Sequence, residues 1–152
     1  MRLALDRSPD FWNAVNAHPD VLPHTSLGKD ADLGAFVRSP RVTPLRAPHG
    51  GLLLVTLDGA GQVVELHIMF TPEGRGRNAY DALCLAVEWA FATGAQIVTT
   101  YQVRGASHWK PPTALGFRRA GDFQPLDGFD ADACSWVLTK AAWEASPARR
   151  RR

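Results

Sequence analysis

A mixed α/β layer built on one mostly antiparallel sheet is the fold class this chain predicts, and three observations carry it. Two apolar, β-rich stretches, Leu52–Leu57 and Gln62–Phe70, flank the turn Asp58-Gly59-Ala60-Gly61, the pattern of an antiparallel hairpin. Ala79, Leu83, Ala86, Val87, Ala90 and Phe91 recur at three- and four-residue spacing, which predicts one long helix. Gln96–Val103 and Cys134–Thr139 then read as further strands, the second with Trp136 and Leu138 in alternation.

The elements follow in order. Ser8-Pro9-Asp10 predicts a helix start, with serine at the cap and proline at the first helical position. Phe11, Trp12 and Val15 form its apolar face, and His18-Pro19 closes it. Val21–His24 reads as extended. Leu27–Val37 carries Leu33, Phe36 and Val37 at helical spacing, a second short helix. Three prolines punctuate 39–48, so Val42–Arg46 is either an edge strand or a loop. The long helix ends near Thr93-Gly94, where glycine suits the position after the last turn. Pro111-Pro112 opens a short helix over Thr113–Leu115, and Gly116-Phe117 leads into a strand, FRRAGDFQ. Ala141–Ala145 predicts one helical turn before Pro147. Residues 1–146 are expected to form one domain and 147–152 a basic tail.

Composition narrows the function classes. Apolar residues make up 45% of the 152, which excludes global disorder. No apolar run approaches the roughly 20 residues of a membrane span, and the opening residues lack the apolar core of a secretion signal, so the default expectation is cytoplasmic. Cys84 and Cys134 fall in apolar segments and read as reduced core thiols. No spacing signature groups the histidines and cysteines, so no metal is expected. Arg149–Arg152 supply four positive charges to a formal net charge of +2. The rest of the chain is therefore net negative, and nucleic-acid binding is expected only through that solvated tail.

The chemistry concentrates in Val63–Phe91, a strand, a turn rich in glycine and arginine, and a helix. Asn78 is placed to cap the helix, with Asp81 three residues on to complete a capping box. Arg75, Gly76 and Arg77 precede the cap. A glycine that lets backbone approach a ligand, unpaired first-turn N–H groups and two guanidinium groups together describe an anion site.

With these segments in place, the chain resembles the GNAT superfamily of N-acetyltransferases, and more narrowly the small acetyltransferase-like proteins of phages and prophages. The likeness rests on FTPEGRGRNAYDAL (Phe70–Leu83), IVTTYQV (Ile97–Val103) and LGFRRAGDF (Leu115–Phe123), and covers about residues 51–140. In that family the strand-to-helix turn binds the pyrophosphate of acetyl-CoA. Arg75 takes the first place of its motif. Asn78 and Tyr80 stand where small residues are usual, and Gly76 and Ala79 supply small residues one place off. The resemblance thus implies cofactor contacts at Arg75, Gly76, Arg77, Asn78, Ala79 and Tyr80, and acetyl-CoA as co-substrate.

It also places the acyl donor in a splay between two central parallel strands, here Val63–Phe70 and Gln96–Val103. A backbone amide near Met69 or Phe70 would meet the thioester carbonyl. Acetyl transfer requires a base for the amine proton. Glu65 and His67 alternate on one strand, so they share a face. Glu65 is indicated by resemblance, and His67 because histidine is the residue type whose unperturbed pKa lies nearest neutrality. The family's usual tyrosine acid has Pro112 in its place, and its usual asparagine is replaced in the neighbourhood of Ser107 and His108. Ser107, His108 or Tyr101 could substitute. Trp109, in a polar loop, and Trp12, on the first helix, are candidates to line the acceptor groove. The function implied is acetyl transfer to a primary amine of a small molecule or peptide. The alternative is a non-catalytic binding or virion-associated protein of phage or prophage type on the same fold. Whether two chains pair is left open.

Overall fold

The computed structural model describes residues 1–25, 31–105 and 110–152. Among these residues a seven-stranded sheet runs in the order β1-β2-β3-β4-β5-β7-β6. The strands are β1 Ala4–Leu5, β2 Val42–Ala47, β3 Gly50–Thr56, β4 Val63–Phe70, β5 Ile97–Val103, β6 Arg118–Arg119 and β7 Ala133–Thr139. Every neighbouring pair is antiparallel except β4 with β5, which is parallel. The helices are α1 Pro9–Asn16, α2 Gly34–Arg38, α3 Arg77–Ala92, α4 Lys140–Glu144 and α5 Pro147–Arg150. The mixed α/β expectation is the fold observed.

Strand alternation sorts the core into two layers. Leu52, Leu54, Val64, Leu66 and Val98 face α3, where Leu83, Ala86, Val87, Ala90 and Phe91 complete one buried cluster. Leu53 and Met69 point to the opposite face and pack with Trp12, Val15, Leu33 and Val37 of the α1–α2 region. The helical periodicity of the long helix and the hairpin alternation thus meet on one side of the sheet. Thr93 closes α3 and Gly94 follows with φ 113°, as expected. The Asp58 carboxylate closes the β3–β4 turn by accepting from the amides of Gln62 and Val63.

Several local expectations are corrected. Val21–His24 is not extended: Leu22–His24 forms a 3-10 turn, with Pro23 fixing its backbone. The second helix occupies only Gly34–Arg38 among the described residues, and Leu27–Asp30 lie outside them. Val42–Ala47 is a strand between two others rather than an edge or a loop. Pro44 is tolerated because it faces the short β1, where its carbonyl accepts from the Asp6 amide, so its missing N–H interrupts no bond to β3. The strand expected over FRRAGDFQ pairs only at Arg118 and Arg119 and touches β7 again at Gln124. β1 was not anticipated.

Trp12 is fully buried. Its indole N–H donates to the Asp6 carbonyl at 2.7 Å, and its ring lies over Gly51, where a Cβ would stand 2.7 Å from the ring edge. Trp12 is therefore a core residue and does not line an acceptor groove.

Candidate active site

The two parallel strands part. β4 and β5 pair only at Val63–Ile97, Val64–Val98 and Glu65–Thr99. Beyond that point β4 stays paired with β3 to Phe70, and β5 stays paired with β7 to Val103. Each strand keeps its outer partner while the inner ladder stops. At the fork the buried Thr100 hydroxyl donates to the Leu66 carbonyl at 2.8 Å, so a side chain satisfies a backbone acceptor that the ladder no longer reaches.

On the α1–α2 face the fork carries Glu65, His67 and Tyr101. His67 Nε2 lies 2.7 Å from Glu65 Oε1, and the Tyr101 hydroxyl donates to Glu65 Oε2 at 3.1 Å. The parallel register explains the trio. Glu65 stands beside Thr99, and His67 and Tyr101 each lie two residues further along the same face. The hydrogen bond from His67, aided by its charge and by Tyr101, holds the Glu65 carboxyl below the usual glutamate range against the opposing pull of burial. Burial, with the adjacent Glu65 charge, pushes the Tyr101 phenol up. The ring of Phe36 meets His67 edge-on, and Phe129 packs against Tyr101. A small cavity of about 40 Å³ opens here, lined by His67, Met69 and Tyr101 from this face and by Leu66, Ile68 and Thr100 through the gap.

On the other face lies the start of α3. Its first helical bond runs from the Tyr80 amide to the Gly76 carbonyl, at 3.0 Å. The N–H groups of Arg77, Asn78 and Ala79 therefore precede the ladder, and no side chain caps the helix among the described residues. The N-cap is Gly76, at φ 71° and ψ −130°, a backbone state suited to glycine. Asn78 is not the cap and closes no box with Asp81. Its amide instead donates to the carbonyls of Pro48 and Gly74, tying the helix start to the β2–β3 hairpin turn. Asp81 pairs with Arg77 at 3.5 Å. The Arg75 guanidinium holds the turn by donating to the carbonyls of Phe70 and Asp20. Phe70, Arg75, Gly76, Ala79 and Tyr80 line a cavity of about 230 Å³ that shares Ile68 and His24 with the smaller one.

A broader cavity of about 980 Å³ continues from Gly76 and Tyr80 past Arg77 and Cys84 to Arg151 and Arg152. The arginine run is exposed, as expected of a solvated segment, but it is anchored to the fold. Ala148 of α5 is buried in the main core cluster, and Arg149 and Arg152 lie 3.6 and 3.9 Å from Glu88 of α3. Cys84 and Cys134 are buried free thiols. Ser107, His108 and Trp109 lie outside the described residues. Among those described, no three His, Cys, Asp or Glu side chains converge as a metal ion would require.

This mixed sheet, forked between β4 and β5, is a fold shared with solved GNAT-family acetyltransferases. Among solved structures, the chain is similar to a probable GNAT-family acetyltransferase from Chromobacterium violaceum, at 20% identity over 94% of this chain and 89% of that one, with TM-score 0.69. It is similar to a GNAT-family acetyltransferase from Bacillus anthracis, at 14% identity over 93% and 96%, with TM-score 0.70. It is also similar to spermidine N-acetyltransferase from Vibrio cholerae in complex with CoA and spermine, at 12% identity over 93% and 95%, with TM-score 0.69. No family model and no curated protein sequence matches the chain. These structures give no support to the narrower likeness to phage-type proteins.

Proposed function

We propose that this protein is an N-acetyltransferase that moves an acetyl group from acetyl-CoA to a primary amine. The observation that carries the reading is the parting of β4 from β5 after Glu65 and Thr99. It opens a passage with uncapped helix amides on one face and a hydrogen-bonded carboxylate, imidazole and phenol on the other. The residues fit acetyl-CoA as substrate. The N–H groups of Arg77–Ala79, approached without hindrance past Gly76, suit a diphosphate. The cavity between α3 and β4 suits an extended arm, and it joins both neighbouring cavities through shared residues. Backbone near Met69 and Phe70, beyond the last parallel pair, is where the thioester carbonyl would find an amide donor.

In this reading His67 takes the proton. Glu65 already accepts from two donors and is held in its anionic form, which suits it to orient the imidazole rather than to act as the base. The amine nitrogen forms its bond to the acetyl carbon as the carbon–sulfur bond breaks. His67 receives the amine proton, and the departing thiolate takes a proton from solvent or from an acid. Glu65 is then a positioning residue, with Tyr101 fixing its second oxygen. Arg75 holds the turn that aims the amides. The acceptor is a small-molecule or peptide amine, and a polyamine is the first to try, because the Vibrio structure holds spermine.

The test is thiol release from acetyl-CoA across a panel of amines that includes spermidine and spermine, alongside calorimetric binding of acetyl-CoA. The expected result is binding together with amine-dependent release. Replacing Arg75 and Gly76 together by alanine is expected to abolish binding, because the turn loses its tie and the backbone state at Gly76 becomes strained. Unchanged binding in that variant would remove the helix start from the donor site. Binding without release on any amine would move the chain to the non-catalytic alternative.

A further inference from the structure

We infer that Arg151 and Arg152 form a clamp for the phosphate monoester on the ribose of the acyl donor, so that the protein discriminates acetyl-CoA from acetyl-dephospho-CoA. The inference rests on the donor reading above and names a determinant inside it. The 980 Å³ cavity begins at Gly76, where the diphosphate is placed, and leads away from the thioester passage. Whatever enters it from the helix start is the end of the donor distal to the reacting sulfur. Its walls have two characters. Tyr80, Ala114, Pro147 and Ala148 offer ring and aliphatic surface of the kind a nucleobase covers. Arg77, Arg151 and Arg152 offer guanidinium groups.

The charges there are unevenly matched. Asp81, the acidic residue on the cavity wall, pairs with Arg77 at 3.5 Å. Glu88 is shared by Arg149 and Arg152 at 3.6 and 3.9 Å, long distances that leave guanidinium donors for another anion. Among the described residues no carboxylate pairs with Arg151. The pair is held in place. Ala148 is buried, the Ser146 hydroxyl accepts from the Arg149 amide, and the Arg152 amide donates to the Arg149 carbonyl. A monoester phosphate carries between about −1.5 and −2 charges near pH 7 and offers three terminal oxygens. Two guanidinium groups lining one cavity with an apolar wall fit that group, and bidentate pairing makes arginine the suitable residue.

The experiment compares calorimetric affinities for acetyl-CoA and acetyl-dephospho-CoA in the full chain, in R151Q/R152Q and in R149Q. R149Q is the control, because Arg149 does not line the cavity. The wild type and R149Q are expected to prefer acetyl-CoA by about tenfold or more, as charge-assisted hydrogen bonds to one phosphate provide. In R151Q/R152Q the ratio is expected to fall to roughly one, through weaker acetyl-CoA binding and unchanged acetyl-dephospho-CoA binding. Thermal unfolding of each variant establishes that it is folded. If one of the two glutamines destabilises the helix, R151Q alone carries the comparison. A wild type without preference, a preference that survives both substitutions, or equal weakening of both ligands would each overturn the clamp. Acetyl-dephospho-CoA binding that persists through those outcomes leaves the donor site standing, whereas a wild type that binds neither ligand overturns clamp and donor site together.

Discussion

The two ends of the β4–β5 pair differ in what holds them. At the closed end, Val63–Glu65 and Ile97–Thr99 are joined by a backbone ladder, and Val64 and Val98 are buried under α3. At the open end the same strands are linked by side chains, through the Thr100 hydroxyl on Leu66 and the Tyr101 phenol on Glu65. A ladder depends little on residue identity, whereas a side-chain link depends on it entirely. Substitutions at the closed end are therefore expected to act on stability alone, whereas those at the open end act on the side-chain links and, under the proposed function, on the reaction.

The sharpest way to break that contrast is to pair one substitution from each end. His67→Ala is expected to lower kcat by about 10²- to 10⁴-fold, the usual contribution of a positioned base, and to leave acetyl-CoA affinity unchanged. Val98→Ala, at a fully buried closed-end position, is expected to cost roughly 2 kcal/mol of stability and to leave kcat unchanged. Equal kinetic losses in the two variants would erase the distinction. Thr100→Val is the next largest effect. It keeps the shape and leaves the buried Leu66 carbonyl without its donor, an expected loss of about 1–3 kcal/mol by denaturant unfolding. A cost near zero would mean that water enters the fork and replaces the hydroxyl.

The smallest effect is a pH dependence. The Glu65 carboxyl is held below its ordinary value of 4.5. The stabilisation this represents is complete above that pH and is lost as pH falls through the lower, folded value. The stability difference between wild type and Glu65→Gln is therefore expected to shrink as pH falls below about 4.5. A difference independent of pH in acid would mean that His67 and Tyr101 do not favour the ionised carboxylate.

The contrast also explains what was legible in the sequence. α3 and the β3–β4 hairpin show in the chain because long periodic burial leaves a repeating signal, and Glu65 and His67 share a face by strand geometry alone. Tyr101 completes their hydrogen bonding only through the parallel register, which depends on residues 34–36 positions away and leaves no local mark. β1 is two exposed residues, too short for alternation to register. Asn78 has the chemistry of a cap, but the hairpin turn at Pro48 and the 3-10 turn at Gly74 each offer its amide a carbonyl, so the cap passed to a glycine with no side chain to announce it. The arginine run reads as a charged tail because composition does not reveal that Ala148 is buried beside it.

That tie between Asn78 and the hairpin has one more consequence. The mouth of α3 is braced from behind by two turns, so under the proposed function a nucleotide docking there would meet a surface that is already set. Little freedom is lost by the protein on contact, and the heat-capacity change of docking should track the apolar area covered rather than any folding of the turn.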